Sequence, residues 1–236
     1  MSYDGRMAAT QTARARVRAE LTNEIVSAAR EELASTGAAG LSLRAVARRL
    51  EMVPSALYRY FPSRDALLTA LIVEAYEAVG MAAADADGRS GRNPADRWNA
   101  VCTAVRGWGH DHPNEWALVY GSPVPGYQAP QDTVEAALKV TRVIAGIFAD
   151  AIPSGTPAPG RLPAAPDTMA AVVGPIEAEL LPGRPPEAVA WVVMAWTGLI
   201  GMVSLELFGH YEGATTDFQQ VFAYNMGALG HLAGVG

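Results

Sequence analysis

The first apolar positions along the chain recur at intervals of three and four: Leu21, Ile25, Ala28, Ala29 and Leu33. That period puts them on one face of a helix over 12–36. Thr36-Gly37 ends it, because glycine tolerates the left-handed backbone of a helix stop. Ser42 then caps a second helix, with Leu43, Val46, Ala47 and Leu50 facing inward. After the turn Glu51-Met52-Val53, Pro54 suits the first turn of a third helix, 54–60, where its missing N–H costs nothing. Pro62 stops that helix. Ser63 caps a fourth, 64–85, with Asp65 favourably placed in its first turn. The helical period returns at 94–111, 113–120, 131–151, 167–180, 186–209 and 214–233. Two proline-rich stretches, 121–130 and 153–166, interrupt it and read as loops, the second as a mobile one. No alternating apolar and polar run is long enough for a strand. The predicted fold class is therefore all-α: an N-terminal three-helix unit over 1–62 and a larger helical domain over 63–236.

Composition adds a boundary and a contrast. Half of the 236 residues are hydrophobic, enough for a substantial core. No apolar run reads as long as the ~20 residues that cross a bilayer. The basic stretch near the N-terminus has no apolar segment after it, so no secretory signal is expected. The single cysteine, Cys102, cannot form an intramolecular disulfide, which fits a reducing, cytoplasmic setting. The net charge is −6, yet residues 1–65 hold ten Arg against seven Asp and Glu. The remainder holds eight basic against seventeen acidic residues. A basic end on an acidic chain points to polyanion binding at that end, unless the shift is accidental.

The second helix, the three-residue turn and the short third helix form a helix-turn-helix. In such a unit the second helix enters the DNA major groove. That gives a role to Tyr58 and Tyr60, whose hydroxyls can donate to phosphate, and to Arg59, which can make two hydrogen bonds to a guanine edge. Arg64 is expected beside the DNA backbone, as are the helix N-termini at Ser42 and Ser63. Arg14, Arg16 and Arg18 form a basic arm suited to the neighbouring minor groove. The competing reading makes both tyrosines ordinary core.

The stretch LSLRAVARRLEMVPSALYRYFPSRDALLTAL, residues 41–71, resembles the tetracycline-repressor family of bacterial regulators, through Ser42, Arg44, Ala47, Leu57, Tyr58, Tyr60, Phe61 and Arg64. The resemblance implies that Ser42, Arg44, Ser55, Tyr58, Arg59, Tyr60 and Arg64 line double-stranded DNA. It also implies that Leu43, Val46, Leu50, Leu57 and Phe61 hold the unit together. Two positions depart from the family pattern: Glu51 stands where glycine is usual, and Val53-Pro54 where a serine-lysine pair is frequent. The segments 112–130 and 195–211 resemble a subset of the family with an all-helical ligand and dimer domain.

A groove reader of this kind needs two copies to read half-sites about 34–36 Å apart. The segments 186–209 and 214–233 suit a homodimer, being apolar on more than one side. Trp191, Met194, Leu199, Met202, Leu205 and Phe208 lie in the first, with Gly198 and Gly201. Phe218, Val221, Phe222, Met226 and Leu229 lie in the second. Burial within one chain is the other explanation. Trp98, Trp108, Trp116, Tyr120 and Tyr127, with His110 and His112, suggest a cavity for an apolar or aromatic small molecule. Phe148, Met169, Met194 and Trp196 supply a far wall, and the 153–166 loop a gate. Ordinary core competes here too. His110 and His112 with Asp111 could bind zinc, but at a helix end alternate residues point to different sides, and a third ligand would have to come from His210 or His231, which nothing supports; Cys102 reads as a buried, inert thiol. No cofactor is expected, since there is no glycine-rich phosphate loop, metalloprotease motif or nucleophile elbow. The sequence thus points to a non-enzymatic, cytoplasmic, dimeric repressor that binds a palindromic operator and is released by a small molecule. The alternatives are an all-α enzyme using the His110–His112 region, and a ligand-independent or activating DNA-binding regulator.

Overall fold

The computed structural model describes residues 3–89, 91, 93–152, 167–184 and 186–235. Among them the periodicity resolves into α1 (Tyr3–Gly40), α2 (Leu43–Arg49), α3 (Pro54–Leu57), α4 (Arg64–Arg89), α5 (Pro94–Asp111) and α6 (Pro113–Tyr120). There follow α7 (Val134–Ala137), α8 (Lys139–Ala151), α9 (Ala170–Leu180), α10 (Pro186–Leu207) and α11 (Phe218–Leu232), with short 3-10 turns at Gln131–Thr133 and Asp167–Met169. The described residues contain no strand.

The chain divides into two compact units. The first comprises Met1–Val73 and Ser122–Pro130, the second Glu74–Gly121 and Gln131–Gly236. The division falls inside α4 and not at the 62/63 border read from the sequence. Leu67, Leu68 and Leu71 of the first half of α4 are buried with Ile25, Leu33, Val46 and Leu57 in the first unit. From Ala75 onward, α4 contributes to the second core.

In the first unit α1 departs from helical geometry at Gly37, whose φ of 69° and ψ of 170° lie not in the left-handed helical region expected there but in an extended positive-φ region open essentially to glycine alone. The third helix is shorter than the period suggested. It is α-helical only over Pro54–Leu57, and the amides of Arg59 and Tyr60 then bond three residues back, to Ala56 O and Leu57 O. The link from α2 to α3 is a Schellman closure. Glu51 N–H donates to Arg48 O (3.1 Å) and Met52 N–H to Ala47 O (2.8 Å). Glu51 occupies the left-handed position, φ 54°, as the one non-glycine with positive φ among the described residues. The same closure ends α10 at Gly209 (φ 79°) and α11 at Gly234 (φ 84°), where glycine fills it without steric cost.

In the second unit α10 is the central helix, packed against α5, α6, α8, α9 and α11, while α5 also packs on α8 and α11. Close approach depends on glycine: a Cβ at Gly230 would stand 2.6 Å from the Trp98 ring, and one at Gly198 2.7 Å from Leu229. The run expected over 131–151 breaks at Leu138 into α7 and α8, and the last helix starts at Phe218 because Asp217 caps it through Gln220 N–H. Two helices are apolar over a longer window than the sequence analysis expects. Arg64–Gly88 and Pro186–Leu207 reach mean hydropathies of 1.5 and 1.9, enough to cross a membrane by length and composition. In α10 half of that window is buried inside the chain, the mark of a core helix apolar on several sides.

Candidate nucleic-acid interface and apolar cavity

The first unit sorts the short third helix by face. Leu57 and Phe61 point into the core. Ser55, Tyr58 and Arg59 are exposed, Tyr58 at 45%, and Tyr60 is half-buried. The two phenols are therefore not core residues. Ser42, Arg44, Tyr58 and Arg64 line one open groove with Leu41, Leu43, Pro62 and Ser63. Ser42 makes no side-chain bond to the start of α2. Ser63 does cap α4, accepting from Ala66 N–H at 3.1 Å. Val53, at 66% exposure, stands at the N-cap of α3, the end of a recognition helix that meets base edges. It is one of the two positions that depart from the family pattern.

Two basic elements take a different form from the one expected. Arg14, Arg16 and Arg18 belong to α1 and are exposed on a helix, where a minor-groove arm needs an extended chain. Helical spacing puts Arg14 and Arg18 on the stripe that continues to Ile25, and Arg16 elsewhere. Arg18 lies over the Tyr60 ring (5.3 Å to its centroid) and donates to Arg59 O (3.5 Å), whereas Arg16 pairs with Glu20 one turn on. Arg64 is the second case. Its guanidinium donates to Ala38 O (2.7 Å), Ala39 O (3.3 Å) and Leu41 O (3.1 Å), with Asp65 at 3.7 Å. It joins the end of α1 to the start of α4, with Nε and Nη2 aimed at the protein's own backbone.

In the second unit a cavity of about 440 Å³ is lined by Tyr76 of α4, Val119 and Tyr120 of α6, Ala137 of α7, Leu138, Thr141 of α8, Ile176 of α9, and Val193 and Trp196 of α10. Tyr76 donates to Val119 O (3.1 Å) and packs edge-on against Tyr120, with ring centroids 5.8 Å apart. The Tyr120 hydroxyl and the Trp196 indole N–H are buried without a hydrogen-bond partner among the described residues. Burial, and secondarily Tyr76, push the Tyr120 phenol above its ordinary pKa, so it stays protonated.

Of the ten expected ligand contacts, Tyr120 and Trp196 line this cavity. The others are placed differently, because helical periodicity does not say which face of a multi-sided core a ring will take. Trp98 packs edge-on against Phe148 and donates to Met226 O at 2.7 Å. Trp116 is fully buried and donates to Ser204 Oγ at 3.0 Å. Trp108 stacks on His112, which is exposed. Tyr127 belongs to the first unit, hydrogen-bonded to Thr69 at 3.0 Å. Met169 packs against the core, and Met194 is 47% exposed on α10. The expected gate, 153–166, lies outside the described residues. Tyr76 and Thr141 were missed: each sits in an apolar helical stripe and gives no separate signal. His110 lies 3.1 Å from Glu206, which also takes two hydrogen bonds from Arg106. Burial alone would raise the Glu206 carboxyl, but these hydrogen bonds outweigh it and hold it below its usual range. Cys102 is buried, and burial pushes its thiol pKa up, as for an inert thiol.

Residues 25–71 match the family described as bacterial regulatory proteins, tetR family, and residues 98–229 match the tetracyclin repressor-like C-terminal domain. The chain belongs to the TetR family. It is 43% identical over 203 residues to the HTH-type transcriptional regulator Rv1816 of Mycobacterium tuberculosis, covering 82% of this chain and 83% of the relative. The same figures hold for the HTH-type transcriptional regulator Mb1846 of Mycobacterium bovis. The crystal structure of the protein SCO4313 superposes with a TM-score of 0.72 at 30% identity, over 91% of this chain and 97% of that one. This TetR-family chain is a transcriptional regulator and not an enzyme.

Proposed function

We propose that the chain is a ligand-responsive repressor that binds a palindromic operator as a homodimer and is released when a small molecule occupies the second-unit cavity. The observation that carries the DNA reading is the split of one short segment: Leu57 and Phe61 are buried, Ser55, Tyr58 and Arg59 are exposed, and Tyr58 shares a groove with Ser42 and Arg44. Arg59 reads a guanine edge, Val53 meets a thymine methyl, and Tyr58, Ser42 and Arg44 hold phosphate. Arg14 and Arg18 extend the cationic surface along α1. A second copy docks on α10 and α11, whose outer stripes leave Met194, Leu205, Val221, Tyr224 and Leu232 exposed, with Phe208 just past the end of α10. Gly201 has open space above it, ready for a partner backbone, whereas Gly198 is already occupied by Leu229. A DNA-bound regulator of this kind works in the cytoplasm.

A ligand changes DNA affinity only by binding one arrangement better than another, typically by ~1–3 kcal/mol of coupling. Tyr76 links cavity to helix, since it lies on α4, which is continuous from Arg64. The cavity favours this reading over a ligand-independent regulator. The test is a mobility-shift assay on promoter-proximal DNA of its own gene, with and without candidate effectors. Binding to a palindrome that an effector reverses is expected. No binding to any palindromic site at low salt would overturn the reading.

A further inference from the structure

The walls of the cavity narrow what can occupy it. None of its lining residues is charged. An ionic ligand would leave water there without a counter-charge, which is strongly unfavourable. Its volume of about 440 Å³ equals that of roughly fifteen waters at ~30 Å³ each, so it suits a molecule of about that many non-hydrogen atoms. Into this apolar wall are set two donors without partners, Tyr120 Oη and Trp196 Nε1. The Tyr76 hydroxyl, which donates to Val119 O, is a partner of neither. An indole N–H can only donate, and a protonated phenol donates readily. Neither atom reaches solvent, so a hydrogen bond to a ligand requires each ring to turn toward the cavity.

We propose that the effector is a neutral, largely apolar molecule bearing one hydrogen-bond acceptor, such as a ketone, ester or ether oxygen, which Tyr120 and Trp196 bind. The proposal rests on the reading of this cavity as the effector site. Matched probes test it: diphenylmethane against benzophenone, tridecane against 2-tridecanone, and diphenylacetate as the charged control. Dissociation constants are measured on the full chain, on Tyr120→Phe and on Trp196→Phe. The ketone of at least one pair is expected to bind about tenfold tighter than its hydrocarbon. In Tyr120→Phe that preference should fall below about threefold with the hydrocarbon constant unchanged, which also shows that the variant is folded. Equal binding of ketone and hydrocarbon in the wild type, or tighter binding of diphenylacetate, overturns the proposal and leaves the cavity as an effector site. If no probe binds to a protein that still binds its operator, the effector-site reading fails and the proposal with it.

Discussion

Replacing Arg64 by alanine separates two roles that look alike in the sequence. A charge-assisted hydrogen bond contributes about 1.5–3 kcal/mol, and Arg64 directs three toward carbonyls at the end of α1 and its link to α2. One of these is long, at 3.3 Å, and the side chain is 30% exposed, so water screens part of the effect and replaces part of what is removed. A net loss of about 2–3 kcal/mol on Arg64→Ala is therefore expected. Urea denaturation followed by circular dichroism would read it. Arg64→Lys should recover less than half, since one ammonium cannot span the three carbonyls as a planar guanidinium does. Operator affinity measured against salt, in conditions where the variant is folded, supplies the second reading. If Arg64 neutralised a phosphate, its removal would make log K against log[salt] shallower by about 0.9. Unchanged stability with a shallower slope would refute the backbone-strut assignment and restore the phosphate role.

Glu51→Gly should raise stability by about 0.5–1 kcal/mol, because it relieves a side chain held at φ 54°; an unchanged urea midpoint would remove strain as the explanation. Arg59→Ala should relax base preference at one operator position, costing about 1–3 kcal/mol on the preferred base and little on the others; selection from a randomised operator would show it. Glu206→Gln tests the Arg106–Glu206–His110 cluster. The carboxyl is depressed in the folded chain, so its stabilisation is present above the unfolded carboxylate pKa and is lost as pH falls through the folded one. The gap in stability between wild type and variant should therefore narrow below about pH 4.5; a gap that does not narrow down to about pH 3 would contradict the ionic assignment.

The sequence by itself determined the helix-turn-helix. Its signals are local: the apolar period of Leu43, Val46 and Ala47, the proline at the start of α3, and tyrosines and an arginine beside Leu57 and Phe61. A helix of one turn buries only one side, so the residues between the buried ones must face out, and Tyr58 and Arg59 do. Glu51 showed in the sequence only as a departure from the family's glycine; the Schellman closure that holds it at positive φ is a finding of the structure. Tertiary structure alone decided the targets of long side chains. Arg64 and Arg18 each reach groups more than twenty positions away in sequence, and no period encodes such a partner. It also decided which aromatics form cavity and which form core. In α10 nearly every face is apolar, so periodicity loses its power to choose a direction there. The choice fell to neighbours: Met226 O took the Trp98 indole, Ser204 took that of Trp116, and Tyr120 and Trp196 were left beside open space.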